Sequence, residues 1–124
     1  MFTIHQLLIF AARSGNLEVM SERIAAGADV SYQDEQHGSA LFVAIASHHA
    51  SAVEFLIARG VDVHMTDSRG QGALEHALRF QDDAISSVLV RAGARLQPHA
   101  LPHFRDMLAE HLKRRGVQND IPAA

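Results

Sequence analysis

Nine histidines in a chain of 124 residues are the first candidates for chemistry, because imidazole both ligates metals and moves protons near neutral pH. Two pairs stand close in sequence, His48 with His49 and His99 with His103. Zinc requires three or four ligands that converge tetrahedrally. Adjacent side chains at a helix end diverge instead, and Pro102 keeps His99 and His103 off one regular helix. The histidines therefore read as surface and turn residues, and no metal ligand is assigned. The paired acids Asp34-Glu35 and Asp82-Asp83 read as loop and helix-start residues, where carboxylates cap free amides and oppose the helix dipole. Ser86 and Ser87 lie in a helical stretch with no His or Lys evidently placed as a base. No GxSxG, P-loop or dinucleotide fingerprint occurs. No catalytic residue and no cofactor are expected. The competing reading, a metal-dependent or catalytic protein using its histidines, predicts stoichiometric metal in the purified chain and dependence on His48 and His49.

The elements that carry these residues repeat. Gly27, Gly60 and Gly93 are 33 residues apart, as are Leu8, Leu41 and Leu74, then Ala11, Ala44 and Ala77, and Asp34 with Asp67. Ile24, Ile57 and Val90, like Val30, Val63 and Leu96, keep an apolar side chain in each copy. A fixed period of this size marks a solenoid whose units cannot bury their apolar faces alone, and about three units are needed for stability. Residues 1–115 read as a single domain, with repeats at about 4–33, 34–66 and 67–97 and a cap at 98–115, followed by a flexible tail at 116–124.

Within each copy the breakers divide two helices. Thr3 and Gln6 have capping-box spacing ahead of a helix from Ile4 to Arg13. Ser14-Gly15-Asn16 breaks it, with Asn16 placed to cap a helix running to Ala25. The second copy places helices at Ala40 to Ser47 and Ala50 to Ala58, and the third at Ala73 to Phe80 and Asp83 to Arg91, with Asp82 as the cap between them. Pro102 suits the first turn of a last helix, in which Phe104, Met107, Leu108 and Leu112 share a face and Lys113, Arg114 and Arg115 favour the negative end of the dipole. Phe42 sits inside an amphipathic helix and is assigned to the core.

These columns resemble the ankyrin repeat, a 33-residue helix-turn-helix followed by a hairpin-like loop. The resemblance rests on Gly15-Asn16-Leu17-Glu18-Val19 with Ala26-Gly27-Ala28-Asp29-Val30, on Phe55 to Val63 and on Val88 to Ala94, and it covers residues 4–97. It implies an all-α solenoid of three helix-turn-helix repeats plus a C-terminal capping helix. The family's Thr-Pro-Leu-His opening is eroded to Gln6-Leu7-Leu8-Ile9, Ser39-Ala40-Leu41-Phe42 and Gly72-Ala73-Leu74-Glu75. The Thr and His of that motif make hydrogen bonds worth about 0.5 to 1.5 kcal/mol each, so modest stability is expected, with Gly72 making the third opening the weakest.

In such stacks the first helices and loop tips form a concave groove that contacts a protein partner. Carried over by register, the partner-binding positions are Arg13, Ser14, Tyr32, Glu35, Gln36, Ser47, Met65, Arg69, Arg79 and Phe80. Large aromatics and arginines are enriched at interface hot spots, which singles out Tyr32, Phe80, Met65 and the arginines. Asp34, Glu35 and Asp67 give the rim an acidic side suited to a basic enzyme site, although Arg13, Arg69 and Arg79 give the groove both signs. The expected function is non-catalytic binding of one partner protein, of an inhibitor or immunity type, by a chain that is a monomer on its own. A self-associating scaffold is the third reading.

Composition narrows the partners. A net charge of −3 with no basic footprint argues against nucleic acid and anionic membranes. The absence of cysteine excludes disulfides, thiolate metal sites and a cysteine nucleophile, and it fits the cytoplasm. The run from Leu7 to Ala12 lacks a preceding Lys or Arg and falls in the repeat register, so it reads as a structural helix rather than a signal-peptide core or a membrane span.

Overall fold

The computed structural model describes residues 1–114 of the chain. Three helix pairs follow one another, α1 (Ile4–Ser14) with α2 (Leu17–Ala25), α3 (Ala40–Ala46) with α4 (Ala50–Ala58), and α5 (Ala73–Arg79) with α6 (Asp83–Arg91). A last helix, α7 (Pro102–Arg114), closes the series. The first helices pack in chain order, α1 on α3, α3 on α5 and α5 on α7, while α2, α4 and α6 form the second row. This is the all-α solenoid that the period requires. The end of the cap at residue 115 and the tail at 116–124 lie outside the described residues.

Helix starts are set by side chains that satisfy free amides. Thr3 accepts from the Gln6 N–H while the Gln6 side chain accepts from the Thr3 N–H, and Asn16, Ser39 and Asp82 each cap the helix that follows them. Because Thr3 caps one turn early, α1 has 11 residues where α3 and α5 have 7. The turn between paired helices needs a left-handed residue: Gly15 takes φ 70°, and His48 and Gln81 occupy the same place at φ 60° and 55°. Two non-glycine residues thus adopt a conformation costing about 1 kcal/mol or more each.

One apolar core runs from Leu8 to Leu112. Leu8, Leu41 and Leu74 are buried in successive copies, and Ala11, Ala44 and Ala77 beside them let the helices approach closely. Burying each leucine contributes about 2 to 3 kcal/mol. Phe42 is buried as expected. Leu56 and Leu89 are fully buried, whereas the first copy has Arg23 in that column. Polar substitution of this kind suits the outer face of a terminal unit. Two features depart from the sequence reading. Gln33–Asp34 (β1) and Gly38–Ser39 (β2) form a minimal antiparallel hairpin, and a single bridge joins Thr66 to Gly72 in the next copy. The helices α3 and α5 end one residue earlier than expected, with Ser47 and Phe80 as their C-caps.

The third opening is not left bare by Gly72. Glu75, 1% exposed, accepts from the N–H of Gly72 at 3.2 Å and from the N–H of Gln97 at 3.2 Å. One carboxyl group thereby closes the helix start and ties it to the loop that leads into the cap. Glu75→Ala should lower unfolding free energy in urea by about 2 to 3 kcal/mol, the effect of stranding two amides that had a strong acceptor. A loss under 0.5 kcal/mol would mean that water or Gln97 replaces it.

Candidate functional site

Each hairpin is built around one aspartate. Asp34 accepts from the backbone N–H of His37, from the Tyr32 hydroxyl at 3.0 Å and from the Gln6 amide at 3.4 Å. The His37 N–H above all, with the Tyr32 and Gln6 donors against a smaller opposing effect of burial, holds this carboxyl at about 2. Asp67 plays the same part in the next copy, accepting from the N–H groups of Arg69 and Gln71 and facing His76 Nε2 at 2.8 Å. Burial pushes Asp67 up, but the Gln71 N–H, the His76 ring and the Arg69 N–H outweigh it, so its pKa is lowered. Gln33 reaches across to the Thr66 carbonyl at 3.0 Å, and Ser31 accepts from the Asp62 N–H, so adjacent hairpins are bonded to each other.

Between the two hairpins and the helices α3 and α5 lies a cleft of about 530 Å³. Gly38 and Phe42 line its apolar part, His76 stands beside Phe42 with ring centroids 4.7 Å apart, and Asp34, Glu35 and Asp67 supply carboxylates. Of the expected partner-binding residues only Glu35 lines this cleft, and the ten divide into three groups by place in the fold. Glu35, Gln36 and Arg69 are exposed at the hairpins. Arg13, Ser14, Arg79 and Phe80 are exposed at the ends of α1 and α5, with half-buried Ser47 at the matching end of α3. Tyr32 and Met65 are half-buried at the hairpin bases against the core. Tyr32 stacks on His5 at 4.8 Å and its hydroxyl is held by Asp34, which raises its pKa. Arg13 lies 5.7 Å over Phe10 and Arg79 5.9 Å over Phe104 of the cap.

Sequence reasoning missed the ring clusters. Phe2, Phe10 and His37 meet edge to face beside the first hairpin, and Phe42, His76, Phe80 and His48 form a chain across the second and third copies. The available signal was the register column Phe10, Val43, His76, one position beyond the core column that holds Phe42.

The histidines largely fasten the stack. His49 Nε2 lies 3.0 Å from the Arg13 carbonyl of the preceding copy, His48 2.9 Å from Asp82 of the following one, and His99 3.0 Å from the Gly70 carbonyl. His111 corrects the statement that Ser86 and Ser87 have no base nearby. The fold brings α7 over α6, so that His111 Nε2 is 3.2 Å from Ser87 Oγ and His111 Nδ1 3.2 Å from Asp83. The atom order is that of an acyl-transfer triad, but Ser87 and His111 are 8% and 1% exposed. Ser87 also lies inside α6, where the backbone N–H groups are committed to the helix and cannot hold an oxyanion. The trio acts as a pin for the cap, helped by Arg114, 2.9 Å from Asp83. Among the described residues no group of three metal-ligating side chains converges.

A stack of helix pairs joined through hairpins, with a cleft between the loops, defines the class as a helical repeat solenoid. A family model described as ankyrin repeats in three copies matches residues 8–99, and the chain belongs to the ankyrin repeat family. It is similar to an L-asparaginase of Dirofilaria immitis, 34% identical over 91 residues that make up 73% of this chain and 15% of that protein. It is similar also to the RelA-associated inhibitor of Mus musculus, 38% identical over 88 residues, 71% of this chain and 11% of that protein. A third relative, the ankyrin repeat and KH domain-containing protein mask-1 of Caenorhabditis elegans, is 30% identical over 92 residues, 73% of this chain and 4% of its own length. The chain thus spans only a small part of the relatives it matches. Ankyrin repeats mediate protein–protein interaction, and the family is in general non-catalytic.

Asp34 supplies a test of the hairpin geometry. A carboxylate whose folded pKa is lowered contributes stability that is present above its unfolded value, about 3.9, and is lost as pH falls through the folded value. Carboxyl carbon NMR should therefore show Asp34 still mostly ionised at pH 3, with its titration centred at about 2. Tyr32→Phe should raise that midpoint. A midpoint near the ordinary aspartate value would show that the hairpin does not close around this group.

Proposed function

We propose that the chain is a non-catalytic binding module that engages one partner protein through its concave groove and acts by occlusion, as an inhibitor or immunity-type protein. The observation that carries this reading is a set of large and charged side chains left exposed outside the core. Phe80 is 37% exposed although it sits at the end of a core helix, and Arg13, Glu35, Gln36 and Arg69 are exposed along the same side. Aromatic and arginine side chains presented on a rigid surface are the usual anchors of protein interfaces. Tyr32 and Met65 contribute by shaping the hairpin bases. Ser14 and Ser47 add adaptable hydroxyls at the helix ends.

The name of one relative, RelA-associated inhibitor, is compatible with an inhibitory mode of action, and occlusion needs only a surface. We place the chain in the cytoplasm as a monomer, in keeping with the lack of cysteine. No described helix is long and apolar enough to cross a membrane.

The test is affinity capture from the native host, followed by titration of the purified partner with the wild type and with Phe80→Ala combined with Arg13→Ala. Losing two interface anchors should weaken binding by about 2 to 4 kcal/mol, a Kd rise of roughly thirty- to a thousandfold, with helical circular dichroism unchanged. Undiminished affinity would place the interface elsewhere. Inhibition of the partner's activity at one-to-one stoichiometry is expected, and a bound but fully active partner would contradict the inhibitory reading.

A further inference from the structure

We propose that the cleft between α6 and α7 is a lysine subsite, which receives the ammonium group and aliphatic stem of one lysine of the partner protein. This rests on reading the chain as a protein-binding module and names the partner's chemistry at one place, next to the exposed Phe80. The observation that carries it is a buried hydroxyl without a bond. Ser86 is 1% exposed and lines the cleft, yet among the described residues its side chain has no hydrogen-bond partner. A buried polar group left unpaired costs stability, so this hydroxyl is placed for a donor that enters from outside. Gln81, the residue after Phe80, lines the same cleft while holding a φ of 55°. His48 in the matching turn bonds to Asp82, but the Gln81 amide has no partner among the described residues. A side chain kept at the cost of backbone strain and unused by the fold suits a binding role.

The rest of the lining selects a primary ammonium. Asp106 and Glu110 line the cleft four residues apart on α7, and neither has a hydrogen bond or ion pair among the described residues. Like charges at this spacing repel, and a cation between them removes the repulsion. Asp83 lines the cleft too, but its carboxyl is held by Arg114 at 2.9 Å and by His111 at 3.2 Å. Three carboxylates against the one guanidinium of Arg114 leave the cleft net negative. The start of α6 does not offset this, since Asp82 caps it and Asp83 stands in its first turn. Leu78 and Met107 give an apolar wall for the stem, and the volume of about 490 Å³ falls in the range of small-ligand pockets, about 300 to 1,000 Å³. An arginine fits less well, because a guanidinium favours a ring to stack on. No ring is among the residues that line the cleft, and Phe104 nearby already lies under Arg79. An ammonium donates three bonds without needing a plane. A divalent cation is not matched, because among the described residues no three acidic or imidazole groups converge as ligands.

The test uses a small probe. The isotope-labelled chain is titrated with N-acetyl-lysine methylamide and, separately, with the neutral norleucine analogue, while amide NMR shifts are followed. Saturable shifts on Gln81, Ser86 and Glu110 with the lysine probe, and none with norleucine, are expected. Ser86→Ala should weaken the lysine probe about tenfold, the effect of losing a hydrogen bond to a charged group. The same variant should keep the wild-type urea midpoint, because the hydroxyl bonds nothing within the fold. Glu110→Gln should weaken both the probe and the captured partner about threefold, as for one exposed ion pair. Equal shifts with both probes would overturn the assignment, and so would a Ser86→Ala chain that is less stable but binds the probe as before. If the probe saturates but partner binding ignores Glu110→Gln, the cleft takes a free amine and the partner's lysine is not there. If Phe80→Ala with Arg13→Ala abolishes partner binding while the probe leaves the cleft unmoved, the groove reading stands and this one falls. If that double variant binds the partner normally while Glu110→Gln weakens it, the lysine site stands and the groove reading falls.

Discussion

The structure depends on the burial of one leucine per unit against its neighbours. Leu8, Leu41 and Leu74 lie in successive first helices, flanked by alanines small enough for those helices to approach. No single pair of helices could bury such a face alone, so stability is a sum of nearest-neighbour interfaces. The ends follow from the same constraint. Arg23 replaces a buried leucine in the first copy, and at the other end α7 covers the last pair with Phe104, Leu108 and Leu112. A side chain that faces neither neighbour is free to serve the surface.

Polar contacts then fix how the units sit. Hydrophobic burial is non-directional, and repeats packed through alanine could slide. The histidines at 48, 49, 99 and 111 each bond to a group in an adjacent unit, while Gln33 and Ser31 join one hairpin to the next. These bonds are individually modest, about 1 kcal/mol net, but they are directional. They hold the hairpins side by side, and that spacing creates the cleft at Phe42 and His76. An abundance of histidine that first invites a metal reading thus serves the architecture, through both ring nitrogens in the case of His111.

What could be read from the sequence was the part governed by local rules. The capping box at Thr3, the caps at Asn16 and Asp82, and the helix after Pro102 all depend on neighbours within a few residues, and the 33-residue columns show directly as a period. Phe42 was legible as core from its position in an amphipathic helix. The meeting of Ser87, Asp83 and His111 was not, since it requires knowing how α7 lies across α6. Glu75 was read as the loss of a family residue, yet its carboxyl group bonds both the helix start and the next loop, a substitution visible only once Gln97 is placed. Tyr32 shows the limit of composition-based hot-spot reasoning. An aromatic in a loop column looked available, but its hydroxyl belongs to the hairpin through Asp34 and its ring to His5.

The central claim is that one side of the stack, the hairpins and the ends of the first helices, is the side that meets another protein. Hydrogen–deuterium exchange on the chain with and without its captured partner reads this directly. Added protection should fall on residues 33–39 and 66–72 and on the ends of α1, α3 and α5. Protection confined to α2, α4 and α6, with the hairpins exchanging as in the free chain, would contradict it.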